Sequence, residues 1–359
     1  MRSFVKKILR IFLIVLISIL YLFGIYLLFL SITDYKPQKI ESPDQIGNIG
    51  NIENNQIIYD EFTILSWNIG HAGLSKEMDF YYYGGKNTKP SIEIYQKNLN
   101  GILNMLVTYS YVDFILLQDV DVFSDRSYYS NQEKLVSDFL PDFAFTFALN
   151  YDVKYDLLPL YAPMGRVKAG LQTLMKYKSV EIKKFAYSSC FNYPKKLLMP
   201  DQCFLVTKYL LKNKKQLILI NTHNSIVDDH IINNHELEEL KLYAVSEYIK
   251  GNYVIIGGGW NMNPPNFSKV KVFTKEYPLF HFRNEIVANY MPYNWKWVYD
   301  SETPSCRRTN KAYDISTTAT TISDFYLISP NIEILNIRNF DLNFEFSNHN
   351  PVLMNVKLK

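Results

Sequence analysis

At 359 residues, with 48% hydrophobic and 20% charged, the chain can build one large core, and its composition is not that of a disordered protein. Its 38 basic and 35 acidic residues leave a formal charge of +3, too even a balance for a protein that coats polyanions through charge alone. Tyr (28) and Phe (23) are abundant, but such residues ordinarily fill cores and strand faces.

No residue from Ile11 to Thr33 is charged, and at about 1.5 Å per residue this run is roughly 34 Å long, enough to cross a bilayer core. Arg2, Lys6, Lys7 and Arg10 precede it. The positive-inside bias therefore puts the N-terminus in the cytoplasm and the main domain outside, although Lys36 and Lys39 soften the asymmetry. The apolar run exceeds the ~7–15 residues of a secretory signal, and no small-x-small site follows closely. The expectation is an uncleaved single-pass membrane anchor over residues 1–33. Residues 34–60 are rich in Pro, Asn, Gln and Gly and read as a flexible tether. The folded domain then occupies residues 61–359.

Within that domain the strand-like runs FTILSW, DFILLQ, FAFTFAL, GLQTLMK, CFLVTKYL, QLILIN, YVIIGG, DFYLIS, IEILNI and PVLMNVKL follow one another. Helical patterns fall between them at about Ser91 to Tyr109, Gln132 to Phe139 and Asn233 to Ile249. Many strands with few helices imply sheet packed on sheet with helices outside.

Several of these runs stop abruptly at polar residues, in the order SWNIG, LQDVD, INTHNS, GGGWN, SDF and SNHNPV. Strand tips of this kind lie at the rim of a sheet, where sites are built. In order and wording the pieces resemble the endonuclease/exonuclease/phosphatase (DNase I-like) superfamily, from Phe62 to Lys359. The resemblance implies an α/β fold, a four-layer α/β sandwich with two central mixed β-sheets. It also implies divalent-metal-dependent phosphoester hydrolysis with Mg²⁺ or Mn²⁺, on substrates that include DNA, RNA, inositol phosphates and sphingolipids.

Carried over residue by residue, the resemblance makes Asn68 and Asp119 metal-site residues, with Asp119 standing where the family has a longer Glu. His223 is the phosphate-contacting His, Asn261 the Asn that orients water and phosphate, and Asp324 with His349 an acid–base dyad. Asn224 and Arg166 are candidate substrate contacts. Two positions depart from the family. Gly259 replaces the Asp that would align or deprotonate water, and Asn348 replaces a carboxylate of the metal site. Glycine offers no proton acceptor, and an amide oxygen ligates without the negative charge. The reading is therefore a phosphoester hydrolase with a degraded site, its metal bound weakly or not at all. The alternative is a pseudoenzyme that binds a phosphorylated ligand or a protein partner.

Other features carry less. Asp121 shares a face with Asp119 only if the chain stays extended. Arg307 and Arg308 read as a solvated basic pair, Trp295 and Trp297 as core. Cys190 and Cys203 flank a Pro-containing loop that they could close, while Cys306 stands apart in PSCRR, and none has zinc-site spacing. Sequence-specific nucleic-acid binding has no support in charge density.

Overall fold

The computed structural model describes residues 2–47, 56–188, 191–225, 230–267 and 284–359. Its helices are α1 (Arg2–Thr33), α2 (Ile92–Thr108), α3 (Gln132–Phe139) and α4 (His230–Ile249). The strands begin with β1 (Ile40–Glu41), β2 (Gln56–Ile57), β3 (Glu61–Asn68), β4 (Phe114–Asp121), β5 (Ala144–Asp156) and β6 (Gly165–Met175). Then come β7 (Glu181–Ala186), β8 (Cys203–Leu211), β9 (Gln216–His223), β10 (Tyr253–Gly259) and β11 (Lys296–Val298). The last are β12 (Cys306–Arg307), β13 (Thr320–Thr321), β14 (Asp324–Ile328), β15 (Ile332–Asn339) and β16 (Val352–Leu358).

The expected strands and helices are present, with α4 starting three residues early. Ser91 and Asn131 cap α2 and α3 through side-chain oxygens that accept the N–H groups of Ile94 and Lys134, satisfying donors that a helix start leaves without partners. Strand β7, EIKKFA, lies outside the expected set, because its alternation is short and broken by lysines.

Alternation builds the layers. In β3 and β4, Ile64, Phe114 and Leu116 turn inward to face the second sheet, while Leu65, Trp67, Ile115 and Leu117 turn outward against α2 and α3. In β9 and β10, Leu217, Leu219 and Ile255 join the central core, while Ile218, Ile220, Val254 and Ile256 meet Leu237, Leu240 and Ala244 of α4. Strands covered on both faces explain the continuous apolar runs in the sequence. The two sheets, ordered β15-β16-β3-β4-β6-β5 and β1-β7-β8-β9-β10-β14-β11 with β2 beside β8, are both mixed. This is the expected four-layer sandwich. Trp295 is buried and Trp297 packs against the same core cluster.

One end of the sandwich collects the C-terminal ends of β3, β4, β9 and β10 with the starts of β6, β8 and β14. The chain enters from α1 at that end too. Leu30 is buried against Val153 and Leu197, and β1 pairs with the last residues of β7. The stretch expected as a flexible tether does not hang free over its described part. The Tyr35 hydroxyl accepts from Lys184 Nζ at 2.8 Å, Gln45 accepts from Ser179, and Ile46 bridges Phe145. Pairing with β1 covers what would be an open edge of β7. Cys203 is a buried free thiol. Its suggested partner Cys190 lies outside the described residues.

Candidate functional site

Parallel pairing of β9 with β10 sets Gly259 beside His223, and antiparallel pairing with β14 sets Asp324 on its other side. Side chains then bridge the two sheets. Asn68 Nδ2 lies 3.4 Å from His223 Nε2, and Asp119 Oδ1 lies 3.7 Å from His223 Nδ1. On the turn before β16, His349 Nδ1 is 2.7 Å from Asp324 Oδ2, which also accepts from Ser305 Oγ at 2.8 Å and Ser323 Oγ at 3.0 Å. Trp67 Nε1 donates to the His349 carbonyl at 2.9 Å, and Ser347 Oγ to the Asn68 carbonyl at 2.8 Å, so the two turns hold each other. Asn68, Asp119, His223, Gly259, Asp324 and His349 are gathered in one place.

Asp119 reaches His223 because the chain is not extended there. Its φ is +53°, and the β4–β6 register slips between Leu117 and Val120, the signature of a bulge that re-aims a side chain. The same kink carries Asp121 elsewhere: it is fully buried and paired with Arg126 at 2.8 Å. Arg126, with His349, puts positive charge within reach of Asp119 and His223. Nothing in the sequence pattern marks it, since it lies in a surface-like DRSYY run.

Burial dominates the electrostatics, and neighbouring charge decides its outcome. It pushes the Asp119 carboxyl up, but His223, Arg126 and Asn68 together outweigh it and hold the group below its ordinary range. Burial lowers the His223 imidazole, and Asp119 only partly offsets this, so the ring is neutral at pH 7. Burial also pulls down on His349, but there Asp324 and Cys306 outweigh it and the ring stays well above its ordinary range. The two imidazoles are thus pushed in opposite directions, His223 down and His349 up, set apart by their carboxylate partners.

The remaining expected residues are arranged differently. Asn261, at φ +53°, donates to the Asn224 carbonyl at 2.6 Å. The Asn224 side chain, expected toward substrate, is buried and engaged by Thr222 and Glu236. Arg166 sits at the start of β6 with its N–H on the Asp125 carboxylate at 2.7 Å. Arg307, expected on the surface, is buried, donating to the carbonyls of Leu74, Ser75 and Met78; burial pushes its guanidinium down to about 10. Multiple carbonyl acceptors explain how a cation can sit inside without a carboxylate. Cys306 is not among the expected site residues, yet its Sγ lies 3.7 Å from His349 Nε2, brought there by a β-bridge between the two residues that no local pattern announces.

The divalent ion that the fold implies needs oxygen donors with negative charge. Asn348 Oδ1 is buried without a hydrogen-bond partner, as a ligand atom would be. The other donors are compromised. Asn68 Oδ1 accepts from the Gly70 N–H at 2.9 Å, Asp119 leans on His223, and Asp121 and Asp324 are held by Arg126 and His349. Among the described residues no group of three or more His, Cys, Asp or Glu converges as a metal site. This donor set does not fit a resident divalent ion.

Glu236 shapes the wall behind His223. It accepts from the Ser225 N–H at 2.8 Å, from Ser225 Oγ at 2.5 Å and from Asn224 Nδ2 at 3.3 Å, and burial nevertheless raises it to about 7. A carboxyl raised on folding contributes stability that is complete below the unfolded pKa and lost as pH rises through the folded one. Urea melts should therefore show up to roughly 3 kcal/mol lost between about pH 4.5 and 7 from this group, with a flatter profile in Glu236→Gln. An equally steep profile in the variant would assign the loss elsewhere.

No family model matches the sequence, and no curated protein matches it. Solved structures do match by shape. An endonuclease/exonuclease/phosphatase from Beutenbergia cavernae aligns at 12% identity and a TM-score of 0.54, over 83% of this chain and 72% of its own. One from Bacteroides vulgatus aligns at 14% and 0.51, over 83% of this chain and 99% of its own. ANGEL2, a 2',3'-cyclic phosphatase, aligns at 14% and 0.55, over 90% and 99%. With the two mixed sheets and the gathered strand tips, these likenesses establish that the chain has the endonuclease/exonuclease/phosphatase fold.

Proposed function

We propose that this chain is a single-pass membrane-anchored domain that binds a phosphorylated ligand at the gathered strand tips and hydrolyses it poorly. The observation that carries the reading is the Asp324–His349 pair, at 2.7 Å, standing beside the His223–Asn68 contact with Gly259 between them. The charged imidazole of His349 and the Arg126 guanidinium supply positive charge toward a phosphate, and His223 and the Asn68 amide supply hydrogen bonds. At 259 no side chain accepts a proton from water, and at 348 an amide replaces the carboxylate that would draw in Mg²⁺ or Mn²⁺. Binding survives these changes better than turnover does, because hydrolysis needs the base and the ion in the same transition state. The likeness to ANGEL2, a cyclic phosphatase, supports a phosphoester ligand. The charged N-terminal residues favour a cytoplasmic N-terminus and an extracytoplasmic domain.

Isothermal titration of the full chain in detergent with inorganic phosphate tests the site. Saturable binding is expected, weakened at least about tenfold in His349→Ala, the scale of losing one charge-assisted hydrogen bond. Cleavage of bis(p-nitrophenyl) phosphate with Mg²⁺ is expected near background. No phosphate binding would reject the ligand assignment, and brisk metal-dependent cleavage would reject the impairment.

A further inference from the structure

The strand-tip site holds a thiol beside its acid–base pair. Cys306 Sγ lies 3.7 Å from His349 Nε2, and His349 Nδ1 lies 2.7 Å from Asp324 Oδ2, which Ser305 Oγ and Ser323 Oγ hold at 2.8 and 3.0 Å. Thiol, imidazole and carboxylate in this order are a nucleophile, its base and the group that orients the base. The backbone fixes the first two against each other. A β-bridge joins Cys306 to His349, flanked by the Arg307 N–H on the Asn348 carbonyl at 3.0 Å and the Asn350 N–H on the Ser305 carbonyl at 2.7 Å. The thiol also lies 3.6 Å from the Arg307 carbonyl, a neutral amide oxygen that does not take the proton away.

Polar atoms around this trio await a guest. Asn348 Oδ1 and Asp324 Oδ1 are buried without hydrogen-bond partners, and Asp324 Oδ1 faces the space over Gly259, 3.6 Å from where a Cβ would stand. Buried acceptors are ordinarily satisfied, so this space takes a hydrogen-bonding molecule, water or ligand. Cys306 is buried, but the Tyr83 phenol lies within charge reach of both Cys306 and Asp119, and the Asp119 side chain is 29% exposed. Thiol and strand tips therefore border one space that reaches solvent. Cys203, by contrast, is fully buried among Ala148, Leu171, Ile182 and Leu205.

We propose that Cys306 is a nucleophile toward phosphorus and gives the site a slow, metal-independent route to the cleavage of phosphomonoesters. The inference rests on the phosphate-binding reading above and adds the group that attacks. Sγ attacks as the thiolate, its proton held on His349 Nε2. The S–P bond forms, the P–O bond to the alcohol breaks, and the departing oxygen takes a proton from water. A second water then adds to phosphorus, the S–P bond breaks, inorganic phosphate leaves with both hydrogens of that water, and Sγ returns to its pairing with His349. Neither step asks for a carboxylate at 259 or for a divalent ion. A monoester suits this route because its loose transition state spreads charge over three non-bridging oxygens, for which Arg126, His223 and the Asn68 amide supply charge and donors.

The full chain in detergent is incubated with p-nitrophenyl phosphate in EDTA. Saturable release of p-nitrophenol is expected, lower by about 10²-fold or more in Cys306→Ser, the low end for removing a group that acts in the transition state. Peptide mass mapping of the wild type is expected to find the phosphoryl group on Cys306 and not on Cys203. A second measurement needs no variant: alkylation of Cys306 by iodoacetamide is expected to slow several-fold under saturating inorganic phosphate. No release in the wild type, release that persists in Cys306→Ser, or release from p-nitrophenyl acetate alone would overturn the nucleophile toward phosphorus. Saturable phosphate binding that leaves alkylation unslowed would separate the thiol from the site and leave the phosphate-binding reading standing, whereas absence of phosphate binding would take both.

Discussion

Gly258→Ala should cost on the order of 4 kcal/mol, at the upper end of what single substitutions do, and lower the melting temperature by about 8–15 °C. Gly258 has φ +146°, and a Cβ there would stand 2.0 Å from the Thr222 carbonyl oxygen and 2.9 Å from its carbon. Those atoms belong to β9, which pairs with β10 along its whole length. No side-chain rotation relieves the clash, so either the sheet opens beside His223 or the backbone leaves its angle. Gly259 is different. Its φ is not in the left-handed region, and the nearest atom to an added Cβ is His223 Cδ2 at 3.1 Å, at the edge of a side chain. Gly259→Ala should cost about 1 kcal/mol or less. Differential scanning of the two variants separates the roles, and equal losses would show that Gly259, too, is held by the fold.

This contrast shows what the sequence can and cannot say. From GGGWN alone, a tight turn and a lost catalytic side chain are equally admissible. The structure divides them by position: Gly257 leaves room for the Tyr326 ring, 2.5 Å from where its Cβ would be, and Gly258 holds the backbone, so only Gly259 is a glycine without a structural reason. The layers are legible because β3, β4, β9 and β10 are short continuous apolar runs, the pattern of strands covered on both faces. Arg126 and Cys306 are not, because what brings them to the site is a bulge at Asp119 and a bridge to His349, both properties of pairing across long sequence distances. Arg307 misleads for a related reason: a buried cation satisfied by carbonyls looks, in sequence, like a surface one. The strand tips themselves are readable because Asn68 and His223 end apolar runs while Asp324 opens one and His349 precedes one, so that strand direction fixes the place of each.

Placing carboxylates at both positions, as Gly259→Asp with Asn348→Asp, should raise phosphodiester cleavage by about 10²-fold or more over the wild type, the lower range for supplying a base. An aspartate at 259 would extend beside His223 and within reach of Asp324 Oδ1, which lies 3.6 Å from where the new Cβ would stand and has no hydrogen-bond partner. At 348 the change converts a buried, unpartnered amide oxygen into a carboxylate. Without a cation these groups add negative charge to a site that already holds Asp119 and Asp324, so in EDTA the double variant should melt below the wild type. Mg²⁺ should reverse that order. At a concentration near a hundred times Kd, ligand binding stabilises by about 2.7 kcal/mol, whereas the wild type should respond little. The melt is thus independent of any choice of substrate. Each single variant should recover less than half of the effect in free energy, because the base and the ion act on one transition state and their contributions do not add. A double variant whose melting temperature ignores Mg²⁺ would mean that the strand tips converge on something other than a divalent site, and that the residues at 259 and 348 do not set the rate of hydrolysis.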